Sequence, residues 1–170
     1  DAVYVSLPNS LHAEWIVKAA RAGKHVLCEK PLVISLEEFD AVEAAARDCK
    51  VVVFEAFPHL HHPSIRQALE MVESGALGDV QFINGRGYFR LPPDDLDNIR
   101  LKPELGGGSL WDVGVYPVSL AITVAGVGAP VEVWGSQITG DTGVDIAFAG
   151  QMRFANDVTA QISSGICSPP

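Results

Sequence analysis

Residues that suit chemistry at a bound ligand occur first at Glu29, Lys30 and Pro31, which follow an apolar run predicted to form a β-strand. In open α/β sheets, ligands bind at the carboxyl ends of parallel strands, so an acidic and a basic side chain here suggest a ligand site. Pro31 restricts Lys30 to extended geometry and so fixes the direction in which the ammonium leaves the chain. Taken alone, these residue types favour the simpler interpretation of solvated charges at an ordinary strand end.

A second group begins with three consecutive glycines at 106–108 and continues to Asp112 and Tyr116. Consecutive glycines are costly in backbone entropy and are best explained by close approach to another backbone or to a ligand. Asp112 and Tyr116 are four residues apart, which places both on one face of a helix. The alternative is a glycine-rich helix entry in which Asp112 is a cap and Tyr116 belongs to the core. Pro117 is expected either to kink this helix or to lie in its first turn.

Two other kinds of catalytic site find no support. His59, His61 and His62 are clustered, but adjacent histidines on regular structure cannot both face one ion, and no carboxylate lies at a recognisable spacing, so no metal is expected. A nucleophilic serine is also unsupported, because the chain has no G-x-S-x-G motif.

The elements that must position the two groups alternate through the first part of the chain. Short apolar runs at 2–7, 24–28 and 51–54 predict buried strands, with a helix in each interval. Ser10 is the expected cap of the first helix and Gly23 its C-terminal glycine. The second helix, which should end near residue 49, opens with a capping box in which Glu38 reaches back toward Ser35. This alternation is typical of a parallel sheet with covering helices.

The later part of the chain has a different pattern. A helix is predicted at 64–74, a strand at 79–90, a loop at 91–104, a helix from the glycines to about residue 125, and strands near 130–138, 144–154 and 157–165. Successive strands after a helix predict an α+β domain with antiparallel pairing in its last part. We expect the boundary between a first domain, 1–57, and a second, 58–170.

Composition limits the possible partners. The chain has 170 residues, of which 48% are hydrophobic and 19% charged, and a net charge of −9. Neither half has the basic surface that binding to nucleic acid requires. No apolar run approaches the roughly 18 to 20 residues that span a bilayer, so no membrane segment is expected. Cys28, Cys49 and Cys167 are odd in number and well separated, which predicts no disulfide framework and favours a cytoplasmic setting.

Several segments together resemble the glucose-fructose oxidoreductase/inositol dehydrogenase (Gfo/Idh/MocA) family of NAD(P)-dependent oxidoreductases. The segments follow the order of that family: VSLPNSLH at 5–12, GKHVLCEKP at 23–31, EAF at 55–57 with HP at 62–63, GALGDV at 75–80 and GGGSLWDVGVYP at 106–117. The Glu-Lys-Pro tripeptide alone would be a weak signal, but the ordered set is specific. Residues beyond about 130 fit the family only by their general strand pattern.

The resemblance implies the C-terminal part of a Rossmann-like parallel sheet followed by an α/β domain with a largely antiparallel open sheet. It implies NADP or NAD as cofactor and a small-molecule substrate, namely a sugar, polyol or cyclic diol. It also implies a homo-oligomer, a dimer or tetramer, formed through the open sheet. The nicotinamide end of the cofactor would contact residues at the ends of the first two strands: Leu7, Pro8, Asn9, His12, Glu29, Lys30 and Pro31.

The same resemblance assigns roles to three residues. Lys30 corresponds to the active-site lysine of the Glu-Lys-Pro motif, and Asp112 and Tyr116 match the family's D-x-G-x-[HY] pattern. Tyrosine at the last position is most similar to the dihydrodiol and sugar dehydrogenase branch. Alcohol oxidation needs a base for the hydroxyl proton. We expect Lys30 to lower the pKa of Tyr116 so that it serves as this base, while Asp112 orients the substrate hydroxyl or the lysine.

The sequence also departs from the family. The G-x-G-x-x-G fingerprint that binds the pyrophosphate is absent, and we expect that roughly 60 to 70 residues forming the first two βα units of a Rossmann domain are missing before Asp1. The last strands of the second domain are expected to be cut short at Pro170. A non-catalytic member of the same fold, which binds a nucleotide or a protein partner, is therefore the alternative to the enzyme.

Overall fold

The computed structural model describes residues 1–92, 94–95 and 97–166. Cys167 and Pro170, on which two of the expectations above depend, lie outside these residues. The first sheet contains strands β1 (Ala2–Val5), β2 (His25–Glu29) and β3 (Val53–Ala56), in that spatial order and all parallel. The predicted alternation of strand and helix in the first part of the chain is thus confirmed.

The covering helices of this sheet are α1 (His12–Arg21) and α2 (Leu36–Cys49). Their apolar sides bury a core with the strands, whose fully or nearly fully buried members are Val5, Ala13, Ile16, Val26, Cys28 and Val42. Gly23 ends the α1 segment with a positive φ of 70°, as predicted. Ser10 does not cap α1, because a short 3-10 turn, Asn9–Leu11, precedes that helix.

The capping box of α2 is half correct. The Ser35 hydroxyl accepts a hydrogen bond from the Glu38 N–H at 3.2 Å, as the pattern predicts. The Glu38 carboxylate, however, accepts from the N–H of Ile34 at 2.9 Å, one residue before the cap. The side chain therefore binds the chain that enters the helix, which holds the preceding loop in place.

The second sheet follows helix α3 (Pro63–Glu73). Its strands are β4 (Phe82–Tyr88), β5 (Glu132–Thr139), β6 (Asp145–Arg153) and β7 (Thr159–Gly165), in the spatial order β4-β7-β6-β5. The last three strands pair antiparallel, as predicted, whereas β4 pairs parallel to β7. A parallel pair needs a long crossover connection, and here it contains helix α4 (Val115–Ala125) and strands β5 and β6.

Helix α4 packs on one face of the second sheet and encloses the second core with it. The buried residues of this core are Ala121, Ala125, Met152, Phe154, Val158, Ala160 and Ile162. The helix comes very close to β4, because a Cβ added at Gly85 would lie 2.7 Å from the Cβ of Pro117. At Gly87 an added Cβ would lie 2.7 Å from the carbonyl oxygen of Val113. Glycines on the strand therefore let the helix backbone approach the sheet directly.

The segment before α4 differs from the single helix predicted there. It contains two 3-10 turns, Ile99–Leu101 and Pro103–Leu105, and a π-helical turn, Leu110–Gly114, which leads directly into α4. Pro117 lies in the first turn of α4, which is one of the two places expected for it. Since the π turn precedes α4, Asp112 and Tyr116 do not belong to one regular α-helix.

One helical run among the described residues, Pro103–Ala125, is long and apolar enough to cross a membrane by length and composition alone. The sequence-based count of apolar runs did not identify it. The core helix of a protein that never meets a membrane can pass the same test. Here α4 packs on the second sheet, and the run is divided by 3-10 and π turns. Packing on the sheet buries one side of α4, and 33% of the apolar window is buried.

Candidate active site

The Lys30 side chain crosses from the first sheet to the segment that precedes α4. Its ammonium donates to the backbone oxygen of Asp112 at 2.5 Å and to Oδ1 of the same residue at 2.9 Å. Both side chains are mostly buried, with 14% of Lys30 and 13% of Asp112 exposed. A buried ion pair with two hydrogen bonds holds the ammonium in one place, which solvated charges at a strand end would not do.

The Asp112 carboxylate also binds a second cation, the guanidinium of Arg100. Arg100 Nε lies 2.5 Å from Asp112 Oδ2, and its guanidinium lies over the ring of Phe89 at 5.4 Å. Sequence reasoning missed Arg100, because it lies in the loop at 91–104 and no motif contains it. Its partner is 12 residues away, a separation without helical or strand periodicity.

The three glycines make the close contacts that were predicted for them. A Cβ added at Gly106 would lie 2.8 Å from the Cβ of Asn9, and one at Gly107 would lie 2.5 Å from the Arg100 carbonyl oxygen. Gly108 has a φ of 115°, and its Cβ would lie 2.1 Å from Asp145 Oδ1. Each glycine thus faces a different neighbour, and together they bring the start of the π turn against both sheets.

Asp145, at the start of β6, holds the residues that begin the π turn by hydrogen bonds. Its Oδ2 accepts from the Ser109 hydroxyl at 2.6 Å and from the Leu110 N–H at 2.9 Å. The Ser109 hydroxyl also lies 2.9 Å from that of Ser164 on β7, and both serines are fully buried. Asp145 therefore does the work of a helix cap from a distant strand. No local sequence signal identifies it, since the capping residue lies 35 positions away.

Tyr116 lies beside this ion-pair network. The Lys30 ammonium is 5.3 Å from the centre of the Tyr116 ring, so the structure brings Lys30, Asp112 and Tyr116 together. The expected effect on Tyr116 is wrong: burial raises the pKa of its phenol, and the Glu29 and Asp112 carboxylates raise it further, while Arg100 lowers it. The Lys30 charge is already compensated by Asp112, and burial disfavours the phenolate.

An imidazole that sequence reasoning had considered only for metal binding also contacts Tyr116. The rings of His59 and Tyr116 meet edge to face at 5.2 Å, and Phe57 contacts both. Both ring nitrogens of His59 are buried without a hydrogen-bond partner in the described part of the chain. Burial lowers the pKa of His59, and His61 lowers it further, so the ring is favoured in its neutral form. Across the described residues, no group of three potential ligands could hold a metal ion.

The residues predicted to contact a cofactor lie together where β1 and β2 end. These strands are paired in register, and Leu7 is 39% exposed at the exit of β1. Glu29 accepts from the Tyr4 hydroxyl and from the Lys30 N–H. The Asn9 amide donates to the Gly106 carbonyl oxygen at 2.8 Å, so this side chain connects the first sheet to the glycine loop.

His12 has a different environment from the one that direct cofactor contact requires. Its ring is fully buried, with Nδ1 2.8 Å from the Pro31 carbonyl oxygen and Nε2 2.7 Å from that of Leu7. Both neighbours are carbonyl oxygens, which only accept, so a neutral imidazole donates to one of them and a protonated one to both; in either form the ring lies against the backbone of these two loops. For Leu7, Pro8, Asn9, Glu29, Lys30 and Pro31, cofactor contact stays a prediction.

Two family models match the sequence. Residues 1–57 match the oxidoreductase family with an NAD-binding Rossmann fold, and residues 65–170 match the GFO/IDH/MocA C-terminal domain. Together they cover nearly all of the chain.

Individual relatives agree with these matches. The chain is 43% identical to a D-xylose 1-dehydrogenase (NADP(+)) of Haloferax volcanii, over 99% of this chain and 51% of that relative. A crystal structure of aldose-aldose oxidoreductase from Caulobacter crescentus with glycerol superposes with a TM-score of 0.93 at 32% identity, over 99% of this chain and 51% of that one. A 3-ketoreductase from Actinomadura kijaniata with NADP and TDP-benzene gives 0.85 at 37% identity, with the same coverage. The chain thus spans about half the length of these relatives.

Proposed function

The chain belongs to the GFO/IDH/MocA oxidoreductase family, and from this premise we propose that its protein is an NAD(P)-dependent dehydrogenase of small hydroxylated molecules. Hydride would be exchanged between a nicotinamide and the secondary alcohol of a sugar, polyol or cyclic diol. The observation that carries this proposal is the meeting of Lys30, Asp112 and Tyr116 beside the carboxyl ends of β1 and β2. A protein that only binds a nucleotide has no need for all three.

Tyr116 is the proton-transfer residue in this proposal. Because burial keeps its phenol protonated, the resting side chain is suited to give a proton to the carbonyl oxygen of a ketone or aldehyde. In the reverse direction it would take the proton of the alcohol, which requires the phenolate and is favoured at high pH. The resting state of the site is therefore better prepared for carbonyl reduction than for alcohol oxidation.

Lys30 and Asp112 keep the reacting oxygen near Tyr116. An ammonium has three N–H donors, and two of those on Lys30 are directed at Asp112. The third is available for the substrate oxygen, where it would stabilise the negative charge that develops during reduction. One carboxylate oxygen of Asp112 binds Lys30 and the other binds Arg100, so Asp112 keeps the lysine ammonium in this position.

The nicotinamide cofactor supplies the hydride, and the residues at the ends of β1 and β2 fit its reactive end. Leu7 and Pro8 offer an apolar surface next to Glu29 and Lys30 on the neighbouring strand end. A relative that acts with NADP(+) and a neighbour crystallised with NADP support this choice, and NADP or NAD is the cofactor proposed.

Self-association belongs to the same proposal. One face of the second sheet is covered by α4, and the other carries exposed apolar side chains: Phe82, Tyr88, Trp134 and Ile138. A second copy would bury this face and give a dimer or tetramer. Light scattering should show Trp134→Glu shifting toward the monomer. An unchanged mass would remove this face from the proposal.

A cytoplasmic location is proposed as well, since Cys28 and Cys49 are free thiols.

The experiment that tests the proposed activity compares Tyr116→Phe with wild type and with Tyr88→Phe. Tyr88 lies on the face proposed for self-association, but Tyr88→Phe keeps the aromatic ring there and removes only a hydroxyl away from the site, so it serves as the matched control. Turnover is followed by the absorbance of reduced nicotinamide with a panel of sugars, polyols and cyclic diols. We expect Tyr116→Phe to lose at least about 10²-fold in kcat while its cofactor Kd, from tryptophan fluorescence, stays unchanged.

Two results would redirect the proposal. Saturable nucleotide binding with no turnover of any substrate would favour the non-catalytic alternative. Near-normal turnover by Tyr116→Phe would leave the oxidoreductase in place and remove Tyr116 as its acid and base.

A further inference from the structure

One peptide unit in the turn after β2 has both of its polar groups held by side chains from other elements. The carbonyl oxygen of Pro31 lies 2.8 Å from Nδ1 of His12, the first residue of α1. The N–H of the same peptide unit, which belongs to Leu32, donates to Oε1 of Glu55 on β3 at 2.7 Å. The C=O and N–H of a peptide unit share one plane, so the two contacts fix the orientation of that plane from both sides.

His12 extends this contact to the end of β1. Its ring is fully buried, and Nε2 lies 2.7 Å from the carbonyl oxygen of Leu7. A single imidazole therefore lies between the exits of β1 and β2, where it donates to one of the two carbonyl oxygens when neutral and to both when protonated. At these two places the backbone leaves the sheet toward the site. The residues that follow the ends of β1 and β2 are no longer paired with each other as strands.

Glu55 approaches the peptide from the opposite side. It is paired in register with the buried Cys28 on β2. Burial raises the pKa of Glu55, while the Leu32 N–H and the charge of His12 lower it. A carboxyl group in such a place is costly to keep unless it has a partner, and the Leu32 N–H is that partner.

We propose that His12 and Glu55 are positioning residues that orient the Pro31–Leu32 peptide and thereby direct the Lys30 ammonium at Asp112. Neither of them hydrogen-bonds the ammonium itself, which among the described residues donates only to Asp112, so they act through the backbone. This inference rests on the proposed function in giving Lys30 a role in catalysis. The orientation of Lys30 by the two residues is independent of that role.

The geometry explains why this turn needs outside support. Pro31 has no N–H, so the turn loses one of the backbone donors that would otherwise stabilise it. Lys30 precedes Pro31 directly, and its long side chain converts a small rotation of the backbone into a large displacement of Nζ. Since Nζ is bound at 2.5 and 2.9 Å, a displacement of that kind would break both contacts with Asp112.

The test measures the reactivity of Lys30 and so does not depend on turnover. The purified protein is labelled with acetic anhydride, and modification of each lysine is quantified by peptide mass spectrometry, with the exposed Lys18 as the internal reference. Both Glu55→Met and His12→Phe remove the contacts; the first keeps the length of the side chain, and the second keeps a planar ring, although a larger one. Glu55→Gln keeps an oxygen that can accept from Leu32. Val158→Ala, in the second core, is the control for a general loss of stability.

We expect the labelling of Lys30 relative to Lys18 to rise about fivefold in Glu55→Met and in His12→Phe, the change that loss of one net hydrogen bond gives to a local opening equilibrium. Glu55→Gln should remain close to wild type. Val158→Ala should show no specific change at Lys30 even when its melting temperature falls as far. Unchanged Lys30 labelling in both Glu55→Met and His12→Phe, or an equal rise in Val158→Ala, would overturn the proposal.

A measurement on the wild type keeps the inference testable if the variants do not fold. Native-state hydrogen exchange should show the Leu32 amide protected, because its N–H is held by Glu55. A rapidly exchanging Leu32 amide would contradict the proposed orientation of the Pro31–Leu32 peptide. The outcome for the proposed function is separate. If the labelling changes as expected but Lys30→Ala keeps normal turnover, the positioning role of His12 and Glu55 is supported and the catalytic role of Lys30 is refuted.

Discussion

Replacing Asp112 with Asn removes one negative charge from between two cations and keeps the shape of the side chain. The mostly buried Lys30 then loses its ion-pair partner, whereas Arg100, with 38% of its side chain exposed, can turn to water. At an effective dielectric constant of about 20, charges 2.9 Å apart attract by about 6 kcal/mol. Desolvation and the hydrogen bond that Asn can still accept offset part of this, and breaking a buried pair typically costs about 3–5 kcal/mol. We expect Asp112→Asn to lower the free energy of unfolding by about 3 kcal/mol.

The matched control is Glu132→Gln, which also neutralises a carboxylate bound to an arginine. Glu132 and Arg153 form a pair at 3.1 Å on the surface, with 69% and 48% of their side chains exposed. Water and salt screen such a pair, so its loss should cost less than about 1 kcal/mol. Urea titration of both variants, followed by tryptophan fluorescence, gives the free energy of unfolding of each. An m-value equal to that of the wild type shows that the difference is one of stability. Equal losses in the two variants would refute the reasoning that burial makes the Asp112 pairs strong.

Three further outcomes are expected. Gly108→Ala places a Cβ 2.1 Å from a carboxylate oxygen at a φ of 115°, so it should destabilise by about 2 kcal/mol or more in the same urea assay, and a neutral effect would contradict the packing of the glycine loop. Burial raises the pKa of Cys28 to about 12, so at pH 8 it should form about a thousandfold less thiolate than an ordinary thiol, and peptide mapping after iodoacetamide should find Cys49 modified and Cys28 intact. Since the pKa of Tyr116 is raised, carbonyl reduction should stay constant with rising pH until above pH 10 and then fall, while alcohol oxidation rises over the same interval; a reduction rate that falls near neutral pH would exclude Tyr116 as the proton donor.

The sequence predicts the elements of this fold well, because their signals are local. Apolar runs identify the strands of both sheets within a few residues, and Gly23 and Ser35 mark helix ends through contacts with their immediate neighbours. The parallel pairing of β4 with β7 could not be predicted from the same patterns. It depends on where a strand lies after a crossover of about 70 residues, and alternation within the strand carries no information on that.

The site was predictable in part. Lys30, Asp112 and Tyr116 follow from motifs, but Arg100 and Asp145 are found only from the folded chain, since each acts on a residue far from it in sequence. The error about the pKa of Tyr116 has a physical cause. Counting the Lys30 ammonium as a free charge neglects that Asp112 neutralises it and that the phenol is partly buried.

The two glycines of β4 set the separation between the sheet and the helix that carries Tyr116. A Cβ at Gly85 would lie 2.7 Å from its neighbour, where ordinary contact begins at 3.4 Å, so any side chain there must lift α4 from the sheet. A displacement of about 1 Å in a reacting group can cost about a hundredfold in rate. These glycines work as a spacer of fixed thickness: residues with no side chain, on a strand that carries none of the three proposed catalytic side chains, determine how far the phenol reaches. Screens that inspect only the pocket walls would overlook them, although adding a single methyl group there should be felt at the reacting atoms.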